Sequence, residues 1–502
     1  MLQTTSSKEP PSASFCIMLL GLLGGLSLAV YLAITLRYPL WNSVAKPLQD
    51  VGKINGYDRG ENLRLITGWM VLFACYIAVM MLIKQITPIR TVRWLIVGWP
   101  LLFFAVQLGC YTIFAGDVYI YAMQGRVSSV YNANPFIDPA SHFASDPFYL
   151  LEPIQYVKTI SQYGPLWELV ARLLTSLVGN EVMATVLAFK GLSVVAYFGN
   201  AGLIHLLLKR TQPAWTWCGL TIYLWNPLAI IEVAGNGHND TLMMTGVLLA
   251  LVAVSYGRQA WRGSLTGVAL AAGVLLKFLP LLLAPLFWLA ELREGLGLGA
   301  VARLRSFQTL YLSVVAFGSL LVLGYLPVWN GLSTLALDQR SRNYTTSLPT
   351  GLRLLLEPIY GSNWQLSYQH VSYIAGGLLL LWLGFQAWQL WSGSTTLMVA
   401  CFEVFFFYLM FCCLWFQPWY LLWLITLAPL TGSWWIAMRM IIFSATAAST
   451  YAVWWMQIFF VQPNSYNYSD AQWVTIALIY PLPLVVWLYA VFAARRMRPS
   501  SI

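Results

Sequence analysis

The side chains able to do chemistry in this sequence are few, and they fall in short clusters. Asp117 directly follows an apolar run that ends near Ala115, and behind it come Tyr119, Tyr121, Arg126 and the turn Asn134-Pro135-Phe136. A carboxylate at a membrane boundary is costly to desolvate, so it sits in water or in a polar cleft. There it can act as a general base, or simply cap a helix beside belt tyrosines. The second cluster is Glu232 with the run Gly235-Asn236-Gly237-His238-Asn239-Asp240. Two glycines allow a tight turn, and the polar side chains either cap a hydrated hairpin or orient a phosphate or sugar hydroxyls. Lys277 is a lone cation ahead of Phe278-Leu279-Pro280. It either snorkels to headgroups or supplies a point charge for the phosphate of a lipid-linked substrate. Arg340 and Arg342 offer two more cations. Gln417-Pro418-Trp419-Tyr420 is either part of an aromatic belt or a stacking surface for a sugar ring or polyprenyl chain.

The elements that must position these groups are membrane helices. The 502 residues are 59% hydrophobic and 9% charged, which excludes a soluble globular chain. Crossing a bilayer takes roughly 20 apolar residues. Runs of that character lie near 15–36, 66–83, 94–115, 182–208, 214–233, 241–256, 263–276, 278–291, 307–328, 371–391, 396–415, 419–433, 437–460 and 472–493. The expected fold is therefore an all-α polytopic bundle of about 12–14 spans, forming one domain over 1–502. Lys277 and Pro280 interrupt the pair at 263–291, which reads as two short helices. The run at 15–36 is too long for a typical signal peptide and is expected to remain as the first span.

The net charge of +10 comes from basic residues scattered singly among short loops, so it indicates membrane topology and not nucleic acid. Basic residues recur on every second boundary and place both termini in the cytoplasm, although four in the loop 37–63 argue the other way. In that orientation the outer side receives a large loop at 116–181, expected to be catalytic, and a second at 329–370. Within the first, Tyr163 to Val178 reads as an interfacial helix with Leu166, Val170, Leu173 and Leu174 on one face and Glu168 and Arg172 on another. Glu403 is expected to pair within the bundle. The seven cysteines all fall in apolar segments without ligand spacing, and read as buried small residues.

The order of motifs is more specific than any one of them. Asp117, Gly125-Arg126 and Asn134-Pro135-Phe136 precede Tyr163-Gly164-Pro165-Leu166. Then come Trp225-Asn226-Pro227 leading to Gly237-His238-Asn239-Asp240, Lys277-Phe278-Leu279-Pro280, and Gln417-Pro418-Trp419-Tyr420. Over roughly residues 95–430 this series resembles the GT-C superfamily of integral-membrane glycosyltransferases. Within it, the chain is similar to the bacterial polyprenol-phosphate-mannose-dependent α-1,6-mannosyltransferases of the MptA/MptB type.

That resemblance implies an enzyme of a bacterial-type plasma membrane with an outward-facing site. It would move a hexose, mannose first, from a polyprenyl-phosphate donor to a glycan, glycolipid or protein acceptor, with inversion. Asp117 would be the general base. Arg126, Lys277, Arg340 and Arg342 would stabilise the leaving phosphate, with His238 orienting or donating. Tyr119, Tyr163, Trp167, Trp419 and Tyr420 would contact sugar or lipid, and Glu232, Asn239, Asp240 and Gln417 would line the substrate site. Some relatives carry paired acidic residues in the first large loop; here Asp117 stands alone, which leaves a divalent cation open. The alternative class is a transporter or lipid flippase, which tends to show repeated halves and midplane charge. A scaffold role in a cell-envelope assembly is a third option.

Overall fold

The computed structural model describes residues 12–44, 49–295, 298–335, 344–459 and 467–496. Arg340 and Arg342 lie outside these residues. Among them the protein is a bundle of helices with no β-strand, only isolated bridges such as Pro39 with Cys110. Among the described residues, eight helices are long and apolar enough to cross a membrane, from Ala13–Arg37 to Tyr468–Val491. A ninth forms if the pair Pro213–Leu224 and Pro227–Gly235, bent by 51°, is one span. The expected 12–14 is thereby reduced to eight or nine by length and composition. The difference has a physical origin. Asp240–Tyr256, Ala260–Leu276, Leu397–Cys412 and Pro418–Thr431 are apolar but only 10–17 residues long. At 1.5 Å per residue, even the longest falls short of a hydrocarbon core of about 30 Å. Leu397–Cys412 and Pro418–Thr431 carry no exposed residue and are packed inside the bundle, whereas Ala260–Leu276 leaves Trp261, Leu265 and Val268 exposed, and a hydropathy pattern does not separate the two settings.

Local sequence sets the helix ends. The Asp58 carboxylate accepts from Glu61 N–H at 2.8 Å to start Arg59–Lys84, and Ser347 Oγ accepts from Thr350 N–H at 3.1 Å to start Leu348–Tyr360. Asn226-Pro227 ends one helix and starts the next, because proline has no N–H to continue the ladder. Asn226 Oδ1 caps Ala229 N–H at 3.3 Å, and a π turn over Ile231–Gly235 follows. A second π turn, Tyr408–Cys412, ends the helix Leu397–Phe407. Wide turns of this kind re-aim side chains next to functional sites. As expected, 263–291 resolves into two helices, Gln259–Leu276 and Ala284–Glu294, joined through Lys277 and Pro280. All seven cysteines are buried and free, and Glu403 pairs with Arg439.

The helix Asp117–Ser129 holds the candidate base at its first position. It is locked against the helix Pro165–Val178 at Gly125, where a Cβ would stand 2.6 Å from the Ala171 carbonyl oxygen. Only glycine allows that approach. The second helix corrects one expectation. Its buried face carries Trp167, Glu168, Ala171 and Thr175, while Leu169, Leu173 and Leu177 point outward. Glu168, expected on a polar face, is instead buried and accepts from Ser161 Oγ at 2.5 Å. Burial pushes its carboxyl up to about 7, and a neutral acid fits there because a charge would lack water.

Candidate active site

Asp117, Ile120 and Gln124 occupy positions i, i+3 and i+7 of their helix, and this stripe lines a cavity of about 430 Å³. The remaining wall includes Tyr163 and the segment 156–162, Lys277 with Leu279, and Trp415, Trp419, Tyr420 and Trp423. Asp117, Tyr163, Lys277, Trp419 and Tyr420, five residues singled out by the sequence, therefore border one space. They come from four separate stretches of chain.

The turn after the bent helix buttresses Asp117. Gly237 has φ +77°, the left-handed region that glycine adopts without strain, and this brings His238 inward. His238 Nδ1 lies 3.1 Å from Asp117 Oδ2, and Nε2 lies 3.2 Å from Glu232 Oε2. Neither contact has hydrogen-bond alignment, so they act as charge contacts. Burial pulls the imidazole pKa down, but the two carboxylates outweigh it and leave the pKa at about 9. The ring is stacked on Trp419 at 4.2 Å between centroids. Glu232 in turn accepts from Asn236 Nδ2 at 2.9 Å and Tyr451 OH at 2.5 Å. It is fully buried and behind His238, away from the cavity wall.

Lys277 is aimed by a second carboxylate. Its Nζ lies 2.9 and 3.0 Å from the two oxygens of the buried Asp240, which also accepts from Trp423 Nε1 at 2.6 Å. The ammonium sits 4.9 Å from the Tyr420 ring centroid. With three donors, it keeps capacity for a ligand beyond the Asp240 contact. Gly164 brings Tyr163 alongside. Its N–H donates to Leu276 O at 3.2 Å, and a Cβ would fall 2.0 Å from Leu275 O. The Tyr-Gly-Pro motif is thus a docking joint between two helices. Asn239 accepts from Tyr121 OH at 3.3 Å, tying the turn to the helix that carries Asp117.

Three other residues singled out by sequence sit elsewhere. Arg126 is buried, with Nε 2.9 Å from both Asp146 oxygens, an N–H to Gly179 O at 3.0 Å, and its guanidinium over the Phe148 ring. It is spent on anchoring the segment that follows its helix. Tyr119 is buried with its OH 3.4 Å from Val44 O, and Gln417 contributes its backbone carbonyl to Tyr420 N–H at 3.1 Å. None of the three lines the cavity. Trp167 lies one layer behind it, with its ring centroid 4.7 Å from that of Tyr121. Trp423 and Tyr451 escaped the sequence reading because their partners are 183 and 219 residues away. Gln124 carried a local signal, its helical spacing from Asp117. Among the described residues no three His, Cys, Asp or Glu side chains converge to hold a metal ion, and the ammonium of Lys277 is the positive charge that borders the cavity.

A family model described as "Alpha-(1->6)-mannopyranosyltransferase, N-terminal domain" matches residues 18–292. Among curated proteins, alpha-(1->6)-mannopyranosyltransferase A of Mycobacterium tuberculosis is 31% identical over 198 residues, covering 37% of this chain and 35% of the relative. The protein of the same name in Corynebacterium glutamicum is 30% identical over 161 residues, 30% of each chain. Alpha-(1->6)-mannopyranosyltransferase B of that organism is 25% identical over 218 residues, 41% of this chain and 34% of the relative. The chain thus covers about a third of the length of the curated relatives it matches. No solved structure gives a significant match.

Proposed function

This chain belongs to the MptA_B family, matched over more than half its length, and from that footing we propose that it is an integral-membrane mannosyltransferase. It takes mannose from a polyprenyl-phosphate donor and passes it to a glycan, glycolipid or protein acceptor on the outer face of the membrane. The observation that carries this reading is that Asp117 and Lys277 border one cavity together with Tyr163, Trp419 and Tyr420.

The chemistry follows from those two groups. The acceptor hydroxyl oxygen attacks the anomeric carbon, and Asp117 takes its proton as the new C–O bond forms. The bond from that carbon to the phosphate oxygen breaks, and polyprenyl phosphate leaves with the electron pair. Lys277 stabilises the charge that grows on it, held in place by Asp240 and Trp423. Attack from the face opposite the phosphate inverts the anomeric centre. Trp419, Tyr420 and Tyr163 offer surfaces for the sugar and the first isoprene units. His238, clamped between two carboxylates, fixes the rotamer of Asp117. The segment 116–181 forms the catalytic loop, the segment 329–370 a second loop on the same side, and both termini are cytoplasmic, in line with the basic residues on alternate boundaries.

The test is transfer of label from polyprenyl-phosphate mannose to a panel of acceptors by purified protein in detergent, beside Asp117→Asn. Label moving with the wild type and not the variant supports donor and base together. Silence with mannose, glucose, galactose and arabinose donors, alongside lipid or sugar movement across liposomes, would favour a transporter.

A further inference from the structure

No Asp or Glu occurs from 65 to 116 or from 182 to 231, although these stretches hold Lys84, Arg90, Arg93, Lys190, Lys209 and Arg210. A cation at a membrane boundary without a carboxylate is left to water, an aromatic face or a headgroup phosphate. Lys84 lies over the Trp434 ring, Arg210 over the Tyr256 ring, and Lys190 donates to the Cys110 carbonyl. Arg93 and Lys209 instead gather around His205. Trp217 is the floor that two of them share. The Arg93 guanidinium stands 5.2 Å from its ring centroid and the His205 ring 5.6 Å. Arg93 Nε donates to Pro88 O at 2.7 Å, which fixes the guanidinium and leaves its terminal nitrogens for another acceptor. Lys209 follows His205 by one helical turn on the same face, and its side chain is exposed. His205 Nδ1 is buried without a hydrogen-bond partner. Among the described residues none of the three is in an ion pair.

That grouping selects an anion. A phosphate accepts from a guanidinium at two oxygens and from an ammonium as a point charge, and it relieves the repulsion between the two cations. A headgroup that also carries an ammonium is disfavoured, because its positive end would meet the same cations. Lipid is the neighbouring source. Trp94 and Leu206, next in sequence to Arg93 and His205, are 66% and 39% exposed and offer an apolar flank for acyl chains. Lys190 places the site relative to the cavity. A Cβ on Gly237, beside His238, would stand 3.1 Å from Lys190 Cγ. From residue 190 to residue 205 the helix advances about 22 Å, so this cluster is separate from the one around Asp117. We propose that Arg93, Lys209 and His205, set on the Trp217 ring, bind the phosphate of an anionic lipid at the far end of the bundle from the cavity.

The test is lipid binding to the purified full chain in neutral detergent, counted by native mass spectrometry, and it does not depend on sugar transfer. Wild type should hold one phosphatidylglycerol at least about tenfold more tightly than phosphatidylcholine with the same acyl chains. Lys209→Gln, at an exposed position, should weaken phosphatidylglycerol by roughly fivefold, the usual worth of one basic residue beside an anionic headgroup. Adding Arg93→Gln should bring the loss to roughly 25-fold and abolish the preference. Arg303→Gln with Arg305→Gln removes as much charge from another exposed stretch and should leave binding unchanged. No preference in the wild type, a preference that survives in the Arg93 and Lys209 variants, or one lost equally in the Arg303 and Arg305 control would each overturn the proposal. Inorganic phosphate distinguishes the source. Failure to displace the lipid at millimolar concentration supports the lipid as ligand, whereas displacement would replace it with a soluble phosphate and overturn the lipid assignment.

Discussion

His238 Nδ1 stands 3.1 Å from Asp117 Oδ2, and this contact ties the cavity-lining carboxylate to the turn that follows a broken helix. The imidazole's other nitrogen reaches Glu232, so the ring is held at both ends. On the proposed reading of Asp117 as the base, a carboxylate positioned this way needs no rearrangement when the acceptor arrives, which is how fixed groups lower a barrier.

Asp117→Asn keeps the shape and removes the basic oxygen. Transfer should fall by 10²-fold or more, the usual scale of a general base. Expression and melting temperature in detergent should stay within a few degrees of wild type. Turnover near normal in this variant would end the assignment of Asp117 as the base.

The His238 contact makes a signed prediction in pH. Its folded pKa of about 9 stands above the ordinary 6.5, so the folded state holds the proton more tightly than the unfolded state. That stabilisation is fully present below about pH 6.5 and is lost as pH rises through 9, with a size on the order of 3 kcal/mol. The melting-temperature gap between wild type and His238→Gln should accordingly be widest at pH 6 and shrink by pH 10. A gap independent of pH would contradict the clamp.

Lys277 and Asp240 should separate charge from folding. Lys277→Met alone strands a buried carboxylate and should cost about 3–5 kcal/mol. The double variant Lys277→Met with Asp240→Asn should recover most of that stability. Donor KM should nevertheless remain at least tenfold above wild type, because the phosphate partner is gone. Full recovery of donor KM in the double variant would assign the pair to structure alone.

Arg126 should behave in the opposite way. Arg126→Leu removes the partner of Asp146 and should lower stability by about 3–5 kcal/mol, while pairing it with Asp146→Leu should restore much of the loss. Donor KM in the double variant should match wild type. A tenfold rise there would return Arg126 to the phosphate.

Gly164→Ala should drive a Cβ into the Leu275 carbonyl. The helix joint must then shift, at a cost of about 1–3 kcal/mol, and Tyr163 moves relative to Lys277. Transfer should fall with the melting temperature. A fully active, fully stable Gly164→Ala protein would mean that the joint is looser than the backbone contact indicates.

What the sequence determined by itself was the solvent of the fold and the identity of its scarce polar groups. Residues in long apolar runs must be helical, because a lipid-embedded backbone has to satisfy its own hydrogen bonds. Carboxylates, a histidine and a lysine beside such runs stand out because burying them is expensive. Motif order also carried the family. Tertiary structure decided which of these groups meet. Arg126 and Lys277 look alike as lone cations near apolar chain, yet Asp146 takes one into the scaffold and Asp240 aims the other at the cavity. Trp423 and Tyr451 entered the site only through contacts spanning 183 and 219 residues. The number of spans also depended on packing, since a short apolar helix inside a bundle and a helix in lipid have the same composition. Periodicity reports that a face is dry; which neighbour keeps it dry is a property of the folded chain.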